Sequence, residues 1–587
     1  MEEKKISIKE FKTLFPYLAR YRTRYVLGFL CLISVDGASI AIPQFTRRAI
    51  DLVSSGSFAM RDIITLGLGM IGVMTIVCFG RFLWRYFIHG SSRRIETELR
   101  QKLFEHLLSL SYDYYQKNKI GDLMARATND LNAVRESIGM GLVAFIDGTV
   151  MSAAILIILF MQDARSAAFA LLPLPLITLI ILFFGSVVGK KFMRAQQAYS
   201  SLSDTVQETF AGIRVVKSFV KEWWFIKKFA DTNDDYLDAN MALVKLFGFI
   251  IPLVSFLSGI TSIILLLVGG IRVVEGSMSP GDLMAMFTYF QMLIWPLMGA
   301  GFVVNMIQRG AASLARVNEV MNTKPSIVSP VSSLMPKTLG HVGDNAVEIR
   351  RLSFAYTEGK PVLDDVSLSI PRGSLLGILG RTGSGKSTLI KTLTRTVDPP
   401  VGTVLVNGQN VQDWDLRELR QLFGVTPQDS YLFSDSIKGN IAYGTVSDEA
   451  TLKKVAALSA IDRDLGEFAH GWDTIIGERG LTLSGGQKQR VAISRALTRE
   501  PPILILDDSL SAVDAETERR ILNALIQERR GKTTIIISHR VSTLRNADAV
   551  LVLDAGRVAE YGAPSVLIER GGFFAKLAAL QQLDQES

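Results

Sequence analysis

Cysteine and charged residues are both scarce in this sequence. Its 587 residues include only two cysteines, Cys31 and Cys78, and both fall in apolar stretches. They exclude a disulfide framework and a zinc site built on cysteine ligands. Charged residues make up 20% of the chain, and no block of Lys and Arg accounts for its net charge of +8. We therefore expect no nucleic-acid partner.

Hydrophobic residues, in contrast, make up 48% of the sequence and crowd into its first 310 positions. A helix that crosses a bilayer needs about 20 mostly apolar residues. The N-terminus has no small-residue cleavage site, so we expect the first of these helices to be retained. A membrane domain over residues 1–325 is therefore predicted. Its six candidate helices lie at about 25–45, 63–87, 139–161, 167–188, 241–273 and 283–307.

Positive charge predicts the orientation of this domain. Lys and Arg are frequent in the N-terminal flank and in two long connections, residues 88–138 and 189–240. Segments that stay in the cytoplasm carry such an excess. We therefore expect a multi-pass protein of the cytoplasmic membrane with both termini in the cytoplasm. Apolar residues at three-and-four spacing predict that the connections extend the membrane helices, whereas residues 162–166 form a tight turn.

Two carboxylates lie near the middle of predicted membrane helices, Asp36 in the first and Asp147 in the third. A carboxylate is costly in lipid, so both should face the bundle interior or a water-filled cavity. They could contact a cationic substrate in a translocation path. They could equally form structural hydrogen bonds between helices. The sequence leaves both interpretations open.

A stretch rich in Pro and Ser, residues 326–345, forms a predicted linker to a soluble half at 346–587. Strand and helix patterns alternate in this half, and runs such as 503–506 are apolar throughout. Such runs indicate strands buried on both faces, and hence an α/β domain. The predicted fold class is an all-α membrane domain with long cytoplasmic helical extensions, fused to an α/β NTPase domain.

The clearest local signal is the sequence G-R-T-G-S-G-K-S at residues 380–387, which fits the phosphate-loop pattern G-x-x-x-x-G-K-[ST]. A strand pattern precedes it and a helix pattern follows. Backbone N–H groups of such a loop and its helix N-terminus bind phosphate. Lys386 would reach the β- and γ-phosphates of ATP, and Ser387 would bind Mg²⁺. The predicted ATP-binding residues are Gly380, Arg381, Thr382, Gly383, Ser384, Gly385, Lys386, Ser387 and Thr388.

Two further segments belong to the same chemistry. The buried run at 503–506 ends at Asp507, and such a strand delivers its aspartate to the Mg²⁺ of a phosphate-loop NTPase. A second anion-binding helix start is formed by Leu483, Ser484, Gly485, Gly486 and Gln487. One nucleotide does not need two phosphate-binding helix starts about 100 residues apart. The second therefore points to ATP bound by another subunit.

The soluble half resembles the nucleotide-binding domain of ATP-binding cassette (ABC) proteins, whose signature is L-S-G-G-Q. The resemblance implies that Tyr356 stacks on adenine and that Gln428 reaches Mg²⁺. It implies that His539 contacts the γ-phosphate as a catalytic switch. Residues 476–480 would touch the cytoplasmic hairpins, and residues 511–514 would communicate across a dimer of cassettes.

The membrane half is similar to that of a half-size ABC exporter, in which six helices precede one cassette. The resemblance implies that residues 112–125 and 208–217 are coupling helices that contact the cassettes. On periodicity alone, a solvated helical hairpin is an equal alternative for each. The implied function is ATP-driven export of amphipathic small molecules or drugs across the lipid bilayer by alternating access, with a second half-transporter as partner.

The sequence departs from the family at Asp508, where glutamate usually activates the attacking water. Aspartate draws the carboxylate back by about 1.5 Å, and a misplacement of about 1 Å can cost 10²-fold in rate. We expect ATP binding to persist and hydrolysis at this site to be slow, as in one subunit of a heterodimeric exporter. A homodimer that works with aspartate is the alternative. A lipid or peptide exporter, or a regulatory subunit that does not hydrolyse ATP, also remains open.

Overall fold

The computed structural model describes residues 8–56, 59–330, 343–357, 359–445, 447–477, 480 and 483–586. The chain forms two compact units. One comprises the residues up to 109 and those from 118 to 323, and the other comprises 110–117 and the residues from 324 onward. Part of the predicted linker, residues 331–342, lies outside the described residues. The predicted domain boundaries remain predictions.

The first unit is built from helices of very different lengths. Three single π-helical turns, at 85–89, 126–130 and 137–141, join α3 to α4 and connect α6, α7 and α8 into one long helix. The α-helices of this unit are α1 (Phe15–Arg20), α2 (Arg22–Ser54), α3 (Met60–Trp84), α4 (Gly90–Ser109), α6 (Ile120–Ala125), α7 (Leu131–Glu136), α8 (Leu142–Leu171), α9 (Leu174–Ala211), α10 (Ile213–Ser218), α11 (Glu222–Val274) and α12 (Pro280–Asn322).

Within the described residues, five helices are long and apolar enough to cross a membrane: Arg22–Ser54, Met60–Ser109, Ile120–Leu171, Glu222–Val274 and Pro280–Asn322. Both long connections are helical over most of their length. Their helices continue directly from the apolar segments, as the three-and-four spacing predicted. The fourth predicted span falls mainly on α9. The count of six spans therefore remains a prediction.

The helix is interrupted within residues 162–166, where the sequence predicts the turn between the third and fourth spans. Asp163 breaks the helix with φ −156° and ψ 102°, and its carboxylate accepts a hydrogen bond from Ser166 N over 3.1 Å. A second interruption at residues 172–173 separates α8 from α9. The predicted span 167–188 crosses this second interruption, and its bounds remain a prediction.

The second unit contains two sheets. A six-stranded sheet has the order β10-β9-β3-β8-β7-β6, in which β9, β3, β8, β7 and β6 run parallel. A four-stranded antiparallel sheet has the order β2-β1-β4-β5. The strands are β1 (Asn345–Phe354), β2 (Leu363–Pro371), β3 (Leu375–Gly380), β4 (Val404–Val406), β5 (Gln409–Asn410), β6 (Phe423–Thr426), β7 (Ile503–Asp507), β8 (Thr533–Ile537), β9 (Ala549–Asp554) and β10 (Arg557–Gly562).

Helices cover the parallel sheet. Strands β7 and β8 are buried at every position, which explains their uninterrupted apolar runs. The fold class predicted from the sequence is confirmed. The helices of this unit are α5 (Tyr112–Lys117), α13 (Lys386–Leu393), α14 (Leu416–Gln421), α15 (Ile437–Ala442), α16 (Glu449–Leu458), α17 (Asp462–Leu465), α18 (Gly485–Leu497), α19 (Ala515–Glu528), α20 (Val541–Leu544), α21 (Pro564–Glu569) and α22 (Phe573–Glu586).

Candidate functional site

Four neighbouring parallel strands place the predicted site residues at one edge of the large sheet. Gly380 ends β3 and Asp507 ends β7, while Gln428 and His539 come shortly after β6 and β8. The carboxyl ends of parallel strands share one edge, which is where ligands bind in open α/β sheets. Sequence positions that are more than 100 residues apart therefore meet in space.

The phosphate loop joins β3 to α13 and depends on its glycines. Gly383 and Gly385 have φ angles of +83° and +101°, a region that residues with a Cβ rarely adopt. A Cβ at Gly385 would also lie 2.8 Å from Val362 O. Glycine is required there for both reasons. The loop therefore wraps back on itself and leaves the N-terminus of α13 facing its interior.

Lys386 lies inside this loop. Its Nζ donates hydrogen bonds to Gly380 O over 2.8 Å and to Arg381 O over 2.9 Å. Burial lowers the pKa of the Lys386 amine, while the nearby carboxylates of Asp507 and Asp508 act in the opposite direction. A cation held here by carbonyl groups is well placed to accept a phosphate anion as a further partner.

Asp507 faces the loop from the end of β7. Its Oδ2 accepts a hydrogen bond from Ser387 Oγ over 3.1 Å. Burial raises the pKa of the Asp507 carboxyl, although the Ser387 bond lowers it. Hydroxyl and carboxylate oxygens are the ligands that Mg²⁺ prefers, and the ion usually takes only one or two of them from protein when phosphates supply the rest. This pair of oxygens therefore fits Mg²⁺.

Most of the predicted site residues line a cavity of about 190 Å³. Gln428, Asp508 and His539 line it together with the phosphate loop. Tyr356 lies at its margin, where its hydroxyl is 3.3 Å from Thr388 Oγ1 and its ring packs edge-on against Phe354. The full lining consists of Val362, Thr382, Gly383, Gly385, Lys386, Ser387, Thr388, Gln428, Asp507, Asp508, Ile537 and His539.

Asp508 adopts an unusual backbone conformation. Its φ is +48°, and its N–H donates to Ile537 O over 3.0 Å. Its own carbonyl accepts hydrogen bonds from Gln489 Nε2 and Ser511 Oγ. These bonds fix the chain just after β7, and the Asp508 side chain reaches the cavity that contains Lys386.

The segment at 483–487 forms a second, separate helix start. Ser484 accepts a hydrogen bond from Gln487 N over 3.3 Å, and Gln487 Oε1 accepts one from Ser484 N over 2.9 Å. This capping box begins α18. A Cβ at Gly486 would lie 2.9 Å from Ala512 O. None of the five signature residues lines the cavity of the phosphate loop.

Two polar residues near the site carry contacts that the sequence did not predict. Gln489 is buried, and its amide bonds to both Asp508 O and Ala512 N, so it links α18 to the segment after β7. Glu518 is also buried, and it accepts hydrogen bonds from Arg540 and Thr543, close in sequence to His539. In the sequence, these two residues could have been recognised only as polar side chains within otherwise apolar helical faces. Residues 478 and 479 of the predicted 476–480 contact lie outside the described residues.

The predicted coupling segment at 112–117 groups with the second unit. Ser111 Oγ accepts from Ile327 N over 2.9 Å, and Asp113 Oδ1 accepts from Ser326 Oγ over 2.9 Å. The Lys391 amine lies 5.2 Å from the centre of the Tyr112 ring. Lys391 belongs to α13, so this short helix contacts the helix that follows the phosphate loop.

The two membrane carboxylates lie together within the first unit. Asp36 of α2 is 3% exposed, and its carboxyl is within hydrogen-bonding reach of Asp147 on α8. Its Oδ2 atom has no hydrogen-bond partner among the described residues. Each of the two helices thus contributes a carboxylate to one polar position, where Asp36 is buried and Asp147 is half-buried.

Comparisons with known proteins agree with this geometry. Residues 25–297 match the family model of the ABC transporter transmembrane region, and residues 363–511 match that of the ABC transporter domain. The chain is 36% identical over 578 residues to a probable multidrug resistance ABC transporter ATP-binding/permease protein, YheI, of Bacillus subtilis, with 97% of each chain covered. The chain belongs to the ABC transporter family.

Other relatives of this ABC transporter have related names. It is 32% identical to the multidrug resistance-like ATP-binding protein MdlA of Escherichia coli, covering 98% of this chain and 97% of that one. It is 31% identical to the ATP-dependent lipid A-core flippase of Syntrophus aciditrophicus, covering 97% and 94%. A bacterial Atm1-family ABC exporter with ATP bound has a similar structure, with a TM-score of 0.78 at 26% identity, covering 96% and 99%. The predicted family is confirmed.

Proposed function

We propose that this ABC exporter moves amphipathic small molecules out of the cell across the cytoplasmic membrane, with both termini and the cassette in the cytoplasm. The relatives named as multidrug transporters support this class of cargo. ATP can drive alternating access because it bridges two cassettes only when they are closed, and a ligand shifts an equilibrium by its differential affinity.

In this proposal the cavity at the edge of the large sheet is the ATP site. Lys386 and the loop N–H groups bind the phosphates, Tyr356 stacks on adenine, and His539 contacts the γ-phosphate. Ser387, Gln428 and Asp507 would hold Mg²⁺, which would neutralise phosphate charge when bound. The 3.1 Å contact between Ser387 and Asp507 supports this assignment. Among the described residues, no group of three or more His, Cys, Asp or Glu side chains offers another metal site.

ABC exporters work as dimers, and two features of this chain fit a partner subunit. The signature segment at 483–487 lies outside the cavity of its own phosphate loop. Apolar side chains are also exposed in and after α10, where Val215 is 61% exposed, Phe219 70% and Trp223 65%. We propose that the signature acts on the partner's ATP and that the segment around α10 contacts a cassette.

The observation that carries the heterodimer proposal is Asp508, next to otherwise complete motifs. Its carboxylate lines the ATP cavity but is one methylene shorter than the usual glutamate. We therefore expect the Asp508 carboxylate to orient the attacking water poorly, so that ATP at this site is hydrolysed slowly. The partner would supply the glutamate of the second site, which this chain's signature completes.

The test is to purify the chain alone and together with candidate half-transporters. We expect slow ATP hydrolysis from the chain alone and rapid hydrolysis, with dye uptake into inverted vesicles, from the correct pair. Equally rapid hydrolysis and transport by the chain alone would overturn the heterodimer and favour a homodimer that works with aspartate.

A second candidate is a homodimeric lipid flippase, and the relatives named as ATP-dependent lipid A-core flippases favour a lipid as the cargo. Inverted vesicles that contain a fluorescent lipid distinguish the two candidates. A flippase would move the lipid between leaflets and would not drive dye uptake. A regulatory subunit that binds ATP without turnover would move neither, alone or with a partner.

A further inference from the structure

The last helix of the cassette, α22, lies between two parts of the ATP site. Its start is fixed by Glu560 of β10, whose carboxylate accepts hydrogen bonds from Phe573 N and Phe574 N. Its buried face carries Phe574, fully buried, and Ala578, which belong to the same apolar core as Val541 of α20. The helix is thus fixed by packing as well as by its cap.

One side chain of this helix holds the segment that contains the switch histidine. Gln581 Nε2 donates to His539 O over 2.8 Å, and Gln581 Oε1 accepts from Val541 N over 2.8 Å. Both polar groups of one amide are therefore used by backbone groups on either side of Arg540. Such a two-point contact fixes the direction of the chain between them.

The first residue of α22 contacts the phosphate loop. The Arg381 guanidinium lies 5.4 Å from the centre of the Phe573 ring, which is a cation–π distance. Arg381 occupies a variable position of the loop pattern and does not line the cavity. Its packing against α22 therefore affects the loop backbone rather than the nucleotide directly.

We propose that α22 is a positioning element of the ATP site, in which Gln581 sets the placement of His539 and Phe573 supports the phosphate loop. The inference rests on the proposed function of this cavity. The imidazole is exposed at the cavity, so its position depends on the backbone that carries it. An amide anchored on a buried helix restrains that backbone, and the exposed imidazole then needs less ordering when the γ-phosphate arrives.

The test compares ATP with ADP, because only ATP has the phosphate that His539 would contact. The full-length chain in lipid nanodiscs is titrated with a fluorescent ATP analogue, which is then displaced by MgATP or MgADP. We expect Gln581→Ala to weaken ATP binding roughly three- to tenfold, the effect of losing a hydrogen bond, and to leave ADP binding unchanged. Gln581→Glu should do the same, because it keeps an acceptor for Val541 N but cannot donate to His539 O.

Gln582 is the matched control, since it is the next residue, of the same type, and exposed on the same helix. Gln582→Ala should bind both nucleotides as the unaltered chain does. An equal loss for ATP and ADP in both Gln581 variants at an unchanged thermal unfolding temperature, or no loss in either variant, would overturn the proposal. A general loss of fold would weaken both nucleotides alike and lower the thermal unfolding temperature.

His539→Ala separates this inference from the function on which it rests. We expect the unaltered chain to bind ATP more tightly than ADP. If His539→Ala loses this preference while both Gln581 variants keep it, the proposed role of α22 is wrong and the assignment of the ATP site stands. If His539→Ala also keeps the preference, the site assignment fails, and this inference fails with it. Phe573→Leu, which keeps an apolar contact, should weaken ATP and ADP by the same factor, because the phosphate loop binds both.

Discussion

Ser387 Oγ lies 3.1 Å from Asp507 Oδ2, and this hydrogen bond joins the phosphate loop to the end of β7. The two residues are 120 positions apart in the sequence, and each comes from a separate local pattern. Burial raises the pKa of the Asp507 carboxyl, so the site disfavours an uncompensated charge there. A divalent cation between these oxygens and the phosphates would supply the compensation.

Asp507→Asn should therefore remove the dependence of ATP affinity on Mg²⁺. We expect the unaltered chain to bind ATP more weakly when EDTA replaces Mg²⁺, and the variant to bind equally in both. The increase in ATP affinity that Mg²⁺ gives should become smaller as pH falls through the raised pKa of Asp507, because the protonated carboxyl is a poor ligand for the ion. Equilibrium titrations at several pH values measure this. Asp508→Asn is the control and should keep the gain, and an unchanged Mg²⁺ response in Asp507→Asn would exclude Asp507 as a ligand.

Asp508→Glu should increase ATP hydrolysis at this chain's own site by about 10- to 100-fold, because the longer side chain restores the reach of the carboxylate. The rate is best measured in the pair after the partner's own phosphate-loop lysine has been replaced. Asp508→Asn provides the control and should leave the slow rate unchanged or lower. No gain from glutamate would show that the length of the side chain at position 508 does not limit the rate.

The same substitution has an expected effect on stability. Asp508 has a φ of +48°, a conformation that Asp and Asn adopt more readily than Glu. We expect Asp508→Glu to lower the unfolding temperature slightly while hydrolysis rises. Thermal unfolding of both forms tests this, and a more stable variant would argue against strain at this position.

The sequence predicted the parts of the site that are continuous in the chain. The phosphate loop, the strand ending at Asp507 and the helix start at Ser484 are each specified by neighbouring residues, and the structure places the first two together. The α/β fold followed from runs that are buried on both faces. These signals are local, so a single sequence contains them.

Contacts between distant elements could not be predicted in this way. Gln581 and Gln582 are adjacent and chemically identical, but only Gln581 reaches His539. The difference arises from the rotation of α22 on its core, which the local pattern does not determine. The interruption between α8 and α9 could not be predicted either, because hydropathy averages across residues 172–173.

If the signature acts on the partner's ATP as proposed, Ser484→Arg should abolish most ATP turnover by the pair, because it places a bulky cation at that helix start. Ser484→Ala, which removes only the cap, should have a smaller effect. The control is Asp448→Ala, which removes the cap of α16, a helix that contributes no residue to the ATP cavity. Both cap variants should lose about 1 kcal/mol of stability, but only Ser484→Ala should slow turnover. Unchanged turnover in Ser484→Arg would show that this signature does not contribute to the site that hydrolyses ATP.

The carboxylates of Asp36 and Asp147 give the last prediction, which concerns cargo. Asp36 is buried with one oxygen unpartnered among the described residues, so its charge is costly unless a cation approaches. If that cation is the substrate, Asp36→Asn should reduce vesicle uptake of a cationic dye by about tenfold, the equivalent of roughly 1.4 kcal/mol, and spare a neutral dye of similar size. If the two carboxylates only join α2 to α8, Asp36→Asn and Asp147→Asn should change uptake of both dyes equally.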